Sequence, residues 1–215
     1  MRSPLLWFFG LAGCCTLLAQ TITFDTYSPG QLPPAWSAVS PGSRWEISRD
    51  ETAPSKPYVL AQRPCGGHAG AASVIVWDKA NFRDGDVFVK FKPVGGERDR
   101  SGGVVWRYRD SGNYYVLDAD AVRNRLVLSK VQNGAVIPLM PRHRRFVSYP
   151  LNRRVPTEEW SILHVKIRGS RYVVYFDHRE VFEVEDATFL GPGKAGLWAQ
   201  ADSVTYFDDF QVKPR

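Results

Sequence analysis

Residues 100–120 read RSGGVVWRYRDSGNYYVLDAD. Two runs rich in Val, Trp and Tyr flank Asp110-Ser111-Gly112-Asn113, and charged residues recur inside both runs at every second position. β-Branched and aromatic residues on either side of a short polar, glycine-containing break predict a β-hairpin. Side chains alternate across a strand, so the inward row is expected to hold Val104, Trp106 and Tyr108, leaving Val105, Arg107 and Arg109 outside. On the partner strand Tyr115, Leu117 and Ala119 are expected inside, with Tyr114, Val116, Asp118 and Asp120 outside. Arg107 then meets Asp118 or Asp120 as a cross-strand neighbour on an open face.

The same reading extends along the chain. Short alternating segments are predicted at 22–25, 44–48, 58–61, 72–77, 86–93, 103–109, 114–120, 125–131, 160–168, 171–177, 180–185, 194–200 and 204–212, with turn residues in nearly every gap. In WSILHVKIRG, Leu163, Val165 and Ile167 share one face, while His164, Lys166 and Arg168 share the other. In DVFVKFKPV, Val87, Val89 and Phe91 oppose Phe88, Lys90 and Lys92. No segment sustains the 3.6-residue apolar period of a long helix. The expected fold is all-β: two packed antiparallel sheets, a jelly roll or related sandwich. One domain is expected over 21–215, because a chain of 215 residues that is 44% hydrophobic and 23% charged has enough apolar content for one sizeable core.

The first twenty residues, MRSPLLWFFGLAGCCTLLAQ, carry one Arg, an apolar run and then small residues. That is the pattern of an export signal, too short for a membrane span. Two processing routes fit: cleavage near Ala19 or Gln20, or lipidation at Cys14 within the lipobox-like Leu11-Ala12-Gly13-Cys14. The first is favoured because the apolar run continues through Thr16-Leu17-Leu18-Ala19. A secreted or periplasmic monomer is expected, with a membrane-anchored lipoprotein as the alternative. Beyond the signal one thiol remains, Cys65 in RPCGGHAG, so no intrachain disulfide is expected; with His68 nearby a nucleophile and base can be imagined, but no third orienting residue is identifiable. Much of the net charge of +6 gathers at Arg142, Arg144, Arg145, Arg153 and Arg154. With no nucleic-acid motif beside it, this stretch reads as a solvated loop, and anionic polysaccharide stays open as a partner.

The segment RSGGVVWRYRDSGNYYVLDADAVRNRLVLSKVQNG resembles the central hairpin of concanavalin A-like lectin/glucanase domains, particularly the laminin-G-like group around the 3-keto-disaccharide hydrolase family. FDTYSPGQLPPAW (24–36) and GKAGLWAQADSVTYFDDFQV (193–212) resemble the opening and closing strands of such domains. The resemblance implies a jelly roll whose concave sheet binds carbohydrate, with Lys90, Arg107, Arg109, Tyr114, Asp118 and Asp120 as candidate contacts. Arg donates a fork of hydrogen bonds, Asp accepts them, and aromatic rings offer flat faces to sugars. The alternatives are a hydrolase or lyase acting on 3-keto-disaccharides or other small glycosides and an adhesion module without a sugar site. No Glu-x-Asp-x-Glu run is present for family-16-type catalysis; the best candidate base is His164. A structural calcium is implied near the chain ends at Asp25, Asp208 and Asp209.

Overall fold

The computed structural model describes residues 20–40, 43–64, 72–142, 151–200 and 202–215. Among them there is no helix, and every named strand pairs antiparallel in one of two sheets. Numbered in chain order, the first sheet runs β14 (Arg179–Glu185), β13 (Arg171–Phe176), β12 (Ser161–Arg168), β6 (Gly85–Gly95), β16 (Val204–Pro214), β4 (Tyr58–Pro64) and β3 (Ser43–Arg49), with β1 (Gln20–Ile22) against β16. The second runs β10 (Ala135–Pro138), β9 (Arg125–Gln132), β8 (Asn113–Asp120), β7 (Ser101–Asp110), β15 (Gly193–Gln200), β5 (Ala72–Phe82) and β2 (Trp36–Ala38), with β11 (Leu151–Asn152) against β9. Strands adjacent in space are often far apart in sequence, as in β6 beside β16, which is the wrapping of a jelly roll.

Alternation builds the core. Val87, Val89 and Phe91 of β6 and Leu163, Val165 and Ile167 of β12 turn inward against Val104, Trp106, Tyr115, Leu117 and Leu197 of the second sheet, all fully buried. At about 1.5–3 kcal/mol for each large side chain removed from water, this row dominates the stability of the sandwich. The expected hairpin is present, with Val104 opposite Leu117 and Trp106 opposite Tyr115. Three short strands, β2, β10 and β11, fall in stretches where alternation is too brief to read, and the first strand lies at residues 20–22, not 22–25.

One expectation reverses. Between Trp106 and Asp110 the pairing register shifts, and Arg107 takes a positive φ of 48°. A bulge of this kind puts two successive side chains on the same side. Arg107 therefore follows Trp106 into the interior, where it is fully buried. Its guanidinium donates to the carbonyls of Arg83, Gly169 and Phe189, to the Tyr172 hydroxyl at 2.9 Å and to Asp84 at 3.3 Å. Tyr108 is turned out instead, its ring 5.6 Å from that of Tyr114.

Candidate functional site

The outward face of the second sheet is apolar where a solvated face would be polar. Val74, Val76, Val105, Tyr114, Val116, Val131 and Trp198 form a second hydrophobic cluster on it, separate from the core between the sheets. Register explains the shape of this face. Across five strands one row runs Val74, Trp198, Gly103, Asp118 and Val127. Gly103 contributes no side chain to this row between Trp198 and Asp118. The glycine is required there, since a Cβ would lie 2.3 Å from the Leu117 carbonyl oxygen. The groove over this face measures about 510 Å³ and is bordered by Val136, Pro138 and Met140 from β10 and the residues after it. It is of the size that holds small organic ligands.

At one end the groove becomes polar. Asp118, Arg125 and Gln200 line both it and a pocket of about 150 Å³ that also contains Asp99, Ser101, Asp120 and Arg123. Asp120 is 2% exposed and already committed: it accepts the backbone N–H groups of Val122 and Arg123 and pairs with the Arg123 guanidinium at 2.7 Å. It fixes the β8–β9 turn and is not an open-face residue. Asp99 is likewise paired with Arg123 at 2.7 Å. Asp118 differs. Its Oδ1 is buried with no hydrogen-bond partner among the described residues, whereas the Nε of neighbouring Arg125 lies 3.6 Å from Asp120. Burial, reinforced by the neighbouring Asp120 carboxylate, pushes the Asp118 carboxyl up to about 8. At neutral pH it therefore carries a proton and can donate as well as accept. Burial also pushes the Tyr114 phenol up to about 12, leaving it a neutral hydroxyl.

Of the residues expected to share one face, Tyr114 and Asp118 do so. Arg107 does not, because the bulge buries it. Lys90 lies on β6 in the other sheet, paired with Asp209 at 2.7 Å. Arg109 is exposed beyond the bulge, with its guanidinium 5.1 Å from the centre of the Phe189 ring. Trp198, Gly103 and Arg125 are not among the residues expected from the sequence pattern. The alternation in GKAGLWAQ, which buries Leu197 inward and leaves Trp198 on the opposite face, is the signal that would have found the indole.

His164 faces outward on the first sheet, away from the groove. Its ring is sandwiched between Phe88 at 3.8 Å and Tyr175 at 4.7 Å, and its Nε2 meets Asp86 at 2.9 Å. Burial outweighs the Asp86 carboxylate and holds the imidazole below its usual range. The calcium ligands are not gathered: Asp25 accepts from the Tyr58 backbone, Asp208 from Ser55, and Asp209 pairs with Lys90. Among the described residues no cluster of three or more His, Cys, Asp or Glu side chains is arranged to hold a metal. These residues do not fit the implied ion. Cys14, Cys65, His68 and the central arginines of the basic stretch lie outside the described residues. At its edges Arg142 pairs with Glu183 and Glu185, and Arg153 lies over the Phe176 ring. No helix among the described residues is long and apolar enough to cross a membrane.

No family model and no curated protein sequence matches this chain. Solved structures do. The carbohydrate-binding module CBM66 from Bacillus subtilis superposes with a TM-score of 0.65 at 19% identity, covering 83% of this chain and 96% of that one. The cellulose-induced protein Cip1 gives 0.63 at 11% identity over 91% and 97%. A prokaryotic β-1,3-1,4-glucanase derived from a mouse hindgut metagenome gives 0.55 at 14% over 93% and 100%. The fold is the concanavalin A-like jelly roll. At these identities the likeness fixes the architecture and leaves the activity to the residues of the site.

Proposed function

We propose that the protein is an exported carbohydrate-binding jelly roll that takes a glycan in the groove on the outward face of its second sheet. The observation that carries this reading is the buried Asp118 Oδ1, which has no hydrogen-bond partner among the described residues, at the polar end of a groove floored by Trp198 and Tyr114. Buried polar atoms are almost always hydrogen-bonded, so an unmet carboxyl oxygen lining a groove suits a ligand that supplies a hydroxyl. The aromatic floor suits the apolar faces of sugar rings, and a protonated Asp118 beside the Arg125 guanidinium offers donors and an acceptor to adjacent hydroxyls. The resemblance to a structure described as a carbohydrate-binding module supports the same class of ligand. Export follows from reading residues 1–20 as a signal and 21–215 as the mature domain. The test is a glycan array followed by calorimetry. Asp118→Ala is expected to weaken binding by about 1–3 kcal/mol, the cost of a lost buried hydrogen bond, and unchanged affinity would remove Asp118 from the site.

A second reading, cleavage of a small glycoside, is favoured by one observation: Asp118, raised by burial, shares a single polar pocket with Asp99 and Asp120, and glycoside cleavage uses a raised carboxyl acid beside a second carboxyl group. A hydrolysis screen that includes oxidised disaccharides decides it. Product formation lost in Asp118→Asn supports an enzyme, and no turnover leaves the binder.

A further inference from the structure

A second pocket, of about 400 Å³, lies on the outward face of the other sheet and is lined by Lys166, Arg168, Arg171, Tyr175, Glu180 and Arg215, with Val173 between them. Its lining holds four cations and one carboxylate, with Asp86 and Glu183 bordering it. Arg168 sits directly opposite Arg171 across β12 and β13, a like-charge pair that costs stability unless something offsets it. Each of these two is partly neutralised, Arg168 by Asp86 at 2.8 Å and Arg171 by Glu183. Lys166 and Arg215 are not: neither side chain makes an ion pair or hydrogen bond among the described residues, although Lys166 lies across from Asp86, whose carboxylate is taken by Arg168 and His164. Glu180 is engaged by the Tyr175 hydroxyl at 3.1 Å. Tyr175 is the last ring of the Phe88–His164–Tyr175 column, and with Val173 it gives the pocket an apolar wall beside its charges.

We infer that this pocket is a binding site for an acidic saccharide, a sugar carrying a carboxylate or sulfate group, distinct from the groove on the opposite sheet and independent of what the groove binds. A small inorganic anion would use the cations and leave both the ring wall and most of the volume unused. A sugar ring bearing an acidic group uses all three: its C–H face meets Tyr175 and Val173, and its anionic group meets Lys166 and Arg215. Charge-assisted hydrogen bonds from two otherwise unpaired cations are the stronger kind, and Arg215 can grip a carboxylate or sulfate through two parallel N–H groups.

The test is calorimetric titration of the full chain with oligogalacturonate, a sulfated oligosaccharide, the neutral oligosaccharide of equal length, inorganic sulfate and a short single-stranded oligonucleotide. At least one acidic saccharide is expected to bind with an affinity that falls as salt rises, at least tenfold tighter than the neutral sugar, inorganic sulfate or the oligonucleotide. Lys166→Ala/Arg215→Ala should lose at least tenfold in that affinity with an unchanged melting temperature, since neither side chain has an ion-pair or hydrogen-bond partner among the described residues to lose. Lys56→Ala/Lys79→Ala removes the same net charge from exposed positions outside the pocket and should bind as the wild type does. Equal losses in the two double variants would reduce the effect to general attraction and overturn the site. So would an absence of binding, or tighter binding of sulfate or the oligonucleotide.

Discussion

Arg107 looks at first like a ligand-binding side chain and is a structural one. Strand parity from Val104 onward puts it outside, and nothing in WRYRD reveals the one-residue slip that turns it in. Once inside, its guanidinium joins the β5–β6 turn, the β12–β13 turn and the segment at Phe189, so truncation leaves several buried carbonyls unpaired. Arg107→Ala should destabilise the fold by about 3–5 kcal/mol in urea unfolding, the range for breaking a buried charged network. A loss below about 1 kcal/mol, as for an exposed pair, would contradict the buried assignment. Asp118 shows the opposite balance: parity places it correctly, but its proton could not be read from the chain, because it comes from burial and from Asp120 two residues along. A carboxyl raised in the folded state keeps a proton that the unfolded chain releases from about pH 4, so it withdraws stability as pH climbs from about 4 to 8. Asp118→Asn should therefore match the wild type near pH 4 and exceed it in urea midpoint at pH 8; equal midpoints at both pH values would show that Asp118 ionises normally.

At the scale of elements, period-two alternation located the long strands, and it is strongest where one face is buried by the core. It failed for β2, β10 and β11, which have two to four residues and give a period little room to appear. It also failed to say that the outward face of the second sheet would be apolar, because Val74, Val105, Val116 and Trp198 are spread over four strands and meet only through register. The close approach of β7 to β8 depends on Gly103. Gly103→Ala should cost about 1–3 kcal/mol, since the added methyl meets the Leu117 carbonyl of the neighbouring strand and backbone has to shift. Thermal unfolding checks this; a variant as stable as the wild type would mean that β7 and β8 are farther apart than the close approach requires.

For the molecule as a whole, the fold class was legible because every level agreed: turn spacing, alternation, aromatic content and the absence of a helical period. The candidate site was half legible: Tyr114 and Asp118 line the groove, whereas Lys90, Arg107 and Asp120 are engaged elsewhere. Titration at this scale has two opposed parts. Burial raises Asp118 to about 8 and Asp208 to about 6, and both withdraw stability as pH rises above about 4. Asp50, Asp86, Asp186 and Glu183 are held low by hydrogen bonds and ion pairs that outweigh their burial, so their contribution is lost as pH falls through their folded values below about 4. Maximum stability is expected near pH 4 to 5 in a series of melting temperatures; a maximum above about pH 8 would contradict the buried acids. The central claim is that the groove holds a glycan through Asp118 and its neighbours. Its most direct test is calorimetric titration of wild type and Asp118→Ala, both confirmed folded, with the neutral glycan selected on an array. The account predicts saturable binding by the wild type and an affinity at least tenfold weaker in the variant, whereas equal affinities, or no glycan bound by the wild type at all, would contradict it.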